Sequence, residues 1–115
     1  MAQAVSRLKR RAEFLRVASA GRKAAVHGLV LQALARHDQA PARLGFTVTR
    51  KVGNAVVRNR TRRRLKEAAR LVLAGQLLAG VDLVLIGRDA TRGRPFDALM
   101  DDVRRALTKA GVGHG

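Results

Sequence analysis

Residues 44–70 read LGFTVTRKVGNAVVRNRTRRRLKEAAR, and their periodicity changes partway along. At first Leu44, Phe46 and Val48 alternate with Gly45, Thr47 and Thr49, the period of two that marks a strand with one buried face. Gly53-Asn54 breaks the alternation, and Asn54 stands where it can cap a helix. From Ala55 to about Leu73, ahead of Gly75, apolar residues return with helical spacing. At 100° per residue Val57, Thr61, Leu65, Ala68 and Val72 fall within about an 80° stripe. Arg58, Asn59, Arg62, Arg63, Lys66 and Arg70 lie on the other side. The centre of the chain therefore reads as a half-buried strand, a turn, and a helix with one packing face and one basic face.

Working outward, Ser6 to Ala20 predicts an amphipathic helix with Leu8, Leu15 and Ala18 at helical spacing, Ala12 and Phe14 nearby, and Gly21 closing it in the left-handed conformation. Ala24 to Ala35 predicts one or two strands, although its Leu and Ala content also permits helix. Arg36 to Ala42 carries turn chemistry with a single Pro. Val81 to Ile86 is a short, nearly continuous apolar run of the kind a buried central strand shows. Pro95 and Gly111 frame a last helix with Phe96, Leu99, Val103, Ala106, Leu107 and Ala110 on one side. The expected order is α-β-β-β-α-β-α in one α/β domain, residues 1–115, with an ordered core over about 6–110; neither an internal repeat nor a dividing linker is evident.

Charge carries the first functional signal. The 115 residues hold 24 Lys plus Arg against 8 Asp plus Glu, for a formal net charge of +16. Residues 1–70 contain 18 basic and 3 acidic residues, residues 71–115 only 6 and 5, so the positive field is regional. Concentrated like charge opposes folding, and a polyanionic partner accounts for it better than solubility does. Between Arg50 and Arg70 nine of 21 residues are basic and only Glu67 is acidic. A merely solvated helix face would interleave Glu with Lys in i, i+4 pairs, each worth a few tenths of a kcal/mol; like charges at that spacing destabilise by as much. Arginine forks on a rigid helix match phosphate oxygens without first ordering a loop. Charge alone does not separate DNA from RNA, because phosphate contacts serve both.

Several chemistries drop out. There is no Cys, so disulfides and thiolate metal sites are excluded, a usage that suits an intracellular compartment. The absence of a membrane-length apolar run or a signal-peptide pattern predicts a cytoplasmic protein with no membrane partner. His27, His37 and His114 are isolated in sequence, and Asp101-Asp102 is expected on an exposed face of the last helix, where early turns favour negative charge. Neither a carboxylate pair nor a His and Lys constellation for nuclease chemistry is recognisable.

The pattern of the central stretch resembles the bacterial ribonuclease P protein family, in its strand, its RK-x-GNAV-x-RNR turn and its following basic helix. Gly53-Asn54-Ala55-Val56 leads into Arg58-Asn59-Arg60 at the family's spacing, and Glu13-Phe14, Val17, Gly21 and Asp82 to Ile86 leading to Arg88 add support over residues 6 to 110. The resemblance implies an α+β two-layer sandwich with a left-handed β-α-β crossover, against the usual hand. It implies a protein that binds a catalytic RNA and holds the single-stranded 5′ leader of precursor tRNA in a central cleft, the RNA carrying both the catalysis and the magnesium. Mapped residue by residue, Lys51, Arg58, Asn59, Arg60, Arg62, Arg63 and Lys66 are the implied RNA contacts, and Phe14, Thr47 and Thr49 line the cleft; no protein side chain is catalytic or a metal ligand. Aromatic residues usual in that cleft are replaced by Ala18 and Gln32, and the chain has no Tyr or Trp. Phe14 itself reads equally as a base platform or as core. A general RNA-binding protein would share the charge pattern, whereas a DNA-reading helix would present more base-reading side chains and a dimer interface. No homo-oligomer is predicted.

Overall fold

The computed structural model describes residues 5–76 and 78–112. His114 lies outside them. The elements are β1 (Ser6–Arg7), α1 (Arg11–Ala20), β2 (Arg22–Ala25), β3 (Val30–Ala35), β4 (Arg43–Val48), a 3-10 turn (Arg50–Val52), α2 (Ala55–Leu73), β5 (Val81–Gly87), α3 (Asp89–Gly93) and α4 (Phe96–Lys109). The strands form one sheet in the order β1-β4-β5-β3-β2. This is the expected mixed α/β architecture, with two short elements, β1 and α3, added to the expected order.

β2 and β3 are an antiparallel hairpin, and β3 continues antiparallel onto β5. β4 runs parallel to β5, with Leu44 opposite Leu83 and Phe46 opposite Leu85. Parallel neighbours need a long crossover, and α2 supplies it. Alternation along the strands then sorts the side chains. Leu31, Ala33, Leu44, Leu83 and Leu85 join Leu65, Ala69 and Leu73 of α2 and Leu99, Val103 and Leu107 of α4 in the main core. Val84, half-buried Leu34 and half-buried Ile86 point to the other face, where α1 covers them with Val17 and Phe14.

The start of the chain departs from the expected helix. Residues 6 and 7 pair instead as an edge strand: Ser6 N–H donates to Ala42 O (2.7 Å) and Leu8 N–H to Leu44 O (2.9 Å). Glu13 sets the new helix start, its Oε1 accepting from the backbone N–H groups of Lys9 and Arg10, both at 2.9 Å. Leu8 is consequently buried ahead of the helix, Leu15 and Ala18 are exposed, and Val17 is the buried residue of α1. Gly21 is extended (φ −84°) rather than left-handed. Its glycine serves close approach, since a Cβ there would stand 2.5 Å from Val17 O and 2.8 Å from Ala33 O.

Asp102 also departs from expectation. It is buried, and Arg94 holds it through Nε (2.7 Å) and a second guanidinium nitrogen (3.1 Å); a buried carboxylate needs such a partner. Asp101 remains exposed and pairs with Arg104 at 2.7 Å.

Candidate nucleic-acid interface

The basic helix is fixed at both ends of its first half. Asn54 caps it as the sequence predicts, Oδ1 accepting from Val57 N–H at 3.0 Å. Thr61, Leu65, Ala68 and Val72 are buried and Val57 half-buried, so the predicted apolar stripe is the packing face. Arg64 is a latch: its guanidinium donates to Thr91 O (2.6 Å), Arg92 O (3.1 Å) and Arg94 O, tying α2 to the segment after β5. Arg92 reaches back to Val52 O at 3.0 Å, locking the 3-10 turn.

On the opposite face Asn59, Arg63 and Lys66 are exposed, as is Lys51 in the turn. Arg58 and Arg62 are half-buried and partly committed: Arg58 donates to Gly53 O (3.0 Å) and Arg62 to Asn59 Oδ1 (2.8 Å). Those bonds preset the side-chain directions while leaving other N–H donors of each fork for a ligand. Arg60, also exposed, stands to one side, over a groove shared with Val57, Thr61, Arg64, Asp89 and Arg92. Lys51, Arg60, Arg63 and Lys66 make no ion pair among the described residues, whereas Arg70 is paired with Glu67 at 2.6 Å. Six of the seven expected RNA contacts thus occupy one helix, and Lys51 sits just ahead of it.

The expected cleft residues belong to the other sheet face. Phe14, half-buried, lies over Gly45, whose missing Cβ would collide with the ring. Phe14 is half-buried and packs with Leu8, Val17 and Val84, so the core part of its reading is seen directly. Thr47 is half-buried on the same face, and Thr49 is exposed where β4 passes into the basic turn, its N–H donating to Gly87 O at 3.3 Å. The two sets of residues therefore flank one strand end. Ala18 is exposed and Gln32 half-buried opposite Val84, with no aromatic platform supplied at either.

One feature of this face escaped the sequence reading. Asp82, inside the apolar β5 run, is buried and accepts from Arg43 (2.9 and 2.7 Å) and Arg36 (2.6 Å). Arg43 extends the chain to Glu13 Oε2 at 2.8 Å, joining sheet to α1 beside Phe14. Burial alone would raise the Asp82 carboxyl, but hydrogen bonds and charge from Arg43 and Arg36 hold it below its ordinary value. Hydrogen bonds from Arg10 and Lys9 N–H, then the Arg43 charge, lower Glu13 as well. A lone carboxylate within VDLVLI was the available signal, because such a charge demands a partner.

No group of three or more His, Cys, Asp or Glu among the described residues is placed to hold a metal ion. The carboxylates nearest the two faces are engaged by arginine. No helix among the described residues is long and apolar enough to cross a membrane.

Comparison with known proteins bears directly on this geometry. A family model described as Ribonuclease P matches residues 2–111. The chain belongs to the ribonuclease P protein family. It is 70% identical over 112 residues to the ribonuclease P protein component of Gluconacetobacter diazotrophicus, covering 97% of both chains. It is 50% identical over 116 residues to that of Paramagnetospirillum magneticum, covering 97% of this chain and 87% of the relative. Among solved structures it resembles the RNase P protein of Staphylococcus aureus (TM-score 0.79, 25% identity, 96% of this chain and 100% of that one). The RNase P protein of Thermotoga maritima is similar (TM-score 0.76, 25% identity, 90% and 96%). Family membership covers the sheet, α2 and α4 together, beyond the RNR motif alone.

Proposed function

We propose that the chain, acting over residues 1–115 as one RNA-binding domain, is the protein subunit of a cytoplasmic ribonuclease P ribonucleoprotein, an endoribonuclease that matures the 5′ end of tRNA. The observation that carries this reading is the rigid, one-sided basic face of α2 within a ribonuclease P family chain. Lys51, Arg58, Asn59, Arg60, Arg62, Arg63 and Lys66 bind the catalytic RNA. Phe14, Thr47 and Thr49 hold the single-stranded 5′ leader of precursor tRNA on the α1 side of the sheet. Bond cleavage and the magnesium it uses belong to the RNA. The protein contributes positive field and position: fixed guanidinium forks neutralise phosphate repulsion between two RNAs and replace part of the counterion atmosphere each would otherwise retain.

The test is 5′-leader cleavage at low magnesium with the protein alone, a bacterial ribonuclease P RNA alone, and the mixture. Efficient cleavage by the mixture only is expected. Cleavage no better in the mixture than with RNA alone, while the protein still binds RNA, would replace this reading with that of a general RNA-binding protein.

A further inference from the structure

A groove of about 460 Å³ opens between β1 and the C-terminal half of α2, on the sheet face opposite Phe14. Its volume is that of a small-molecule site. Half-buried Phe46, buried Ala69 and buried Leu73 line it, and small Ala74 and Gly75 leave one wall low. Arg7, Lys66 and Arg70 also line it. Arg7 and Lys66 make no ion pair among the described residues, and Arg70 is engaged only by exposed Glu67. Gln76, at one end, donates its amide N–H to Val72 O (2.8 Å), which leaves the amide oxygen as an acceptor. An aromatic and aliphatic lining with several cations beside it is the arrangement that receives an unstacked base together with its phosphate.

We propose that this groove binds one unpaired nucleotide of the RNA subunit, its base against Phe46 and its phosphates toward Arg7 and Lys66. The inference rests on the RNA-subunit reading above, because Lys66 belongs both to that interface and to this groove, making the two continuous. The leader is a poorer occupant: Phe46 and Thr47 are successive on β4 and point to opposite sheet faces.

The experiment measures affinity of the full-length protein for a bacterial ribonuclease P RNA across a salt series, with chemical probing of that RNA's unpaired bases. Ala74→Phe fills the groove from an exposed position without changing charge, and Phe46→Leu removes the ring while keeping an apolar side chain. Ala74→Phe is expected to weaken binding about five- to 150-fold, the range of one lost base stack, with thermal midpoint and salt slope unchanged. One base protected by the wild-type protein should become reactive again. Phe46→Leu should weaken binding less and add little to Ala74→Phe. A folded Ala74→Phe protein with wild-type affinity, or no base whose protection is lost, overturns the proposal. Failure of the wild-type protein to bind the RNA would instead overturn the subunit reading itself.

Discussion

The two faces of the sheet are built on different terms. Under α2 and α4 the face is continuous aliphatic core, with Leu29, Leu31, Leu65, Leu83 and Leu99 all but inaccessible. Under α1 it is thinner: three buried apolar residues, a half-buried Phe14, and an ion-pair chain from Arg36 through buried Asp82 and Arg43 to Glu13. Apolar packing dominates the first face, with the Arg94–Asp102 pair and the Arg64 latch at its margin, whereas directional polar contacts around Asp82 hold much of the second. The side chains proposed to contact RNA on α2 and at Phe14 are not the fully buried ones of the closed core, so mutation can separate affinity from stability.

The sharpest break should come from the closed face. Leu83→Ala is expected to destabilise by about 3–5 kcal/mol through lost burial and the cavity left behind, seen as a fall in denaturation midpoint, with affinity of the remaining folded protein unchanged. On the other face Asp82→Asn should cost about 2–3 kcal/mol, because Arg43 and Arg36 lose a buried counter-charge but reach solvent in part. The acid limb adds a sign. Since the folded Asp82 carboxyl lies below its ordinary value, the unfolded chain takes up the proton first as pH falls. Its stabilisation is complete above the ordinary carboxylate range and is lost on acidification through the lower folded value. Denaturation between neutral pH and pH 3 should therefore show a shallower acid loss in Asp82→Asn; an equal slope would remove Asp82 from the account.

Phe14→Ala should do the reverse of Leu83→Ala. Its half-exposed ring makes a smaller contribution to stability, while leader affinity measured with RNA-saturated holoenzyme should fall by about 1 kcal/mol or more, the low end for one base stack. The smallest stability effect belongs to the double change of Arg62 and Arg63 to Ala, within about 0.5 kcal/mol for surface positions. Its signature is electrostatic. If about five cations each neutralise one phosphate, log affinity falls with log salt at a slope of roughly −3.5 to −4.5, and this change should reduce the slope by about one to two. An unaltered slope would take both residues off the phosphate-contact list.

α2 was legible because every determinant of it is local. Asn54 caps, the stripe from Val57 to Val72 has helical period, and six of the seven expected RNA contacts ride on the same helix, placed by its turn of about 100° per residue rather than by a strand's alternation. α1 was legible only in part, its helix present over Arg11–Ala20 but its expected start at Ser6 and its expected buried face both displaced, although its composition looked equally amphipathic. Leu8 and Leu15 have helical spacing, yet Ser6 and Leu8 are drawn into pairing with Ala42 and Leu44, and α1 meets the sheet through fully buried Val17 and half-buried Phe14 while Leu15 stays exposed. Asp102 was misplaced for a related reason: in sequence it is one of two adjacent acids, and only Arg94 eight positions earlier makes one of them buried.

The sequence by itself determined that this is a mixed α/β chain with a one-sided basic helix, because period, capping and charge density act within a few residues of one another. The tertiary structure decided which cations are available to RNA and which are not. Arg36, Arg43, Arg64 and Arg94 are as basic as Arg60 or Arg63, but each meets a carboxylate or carbonyl brought to it from 8 to 46 residues away. Whether a charge binds a partner or holds the fold depends on what lies within hydrogen-bond distance, and that is set by packing between elements distant in sequence.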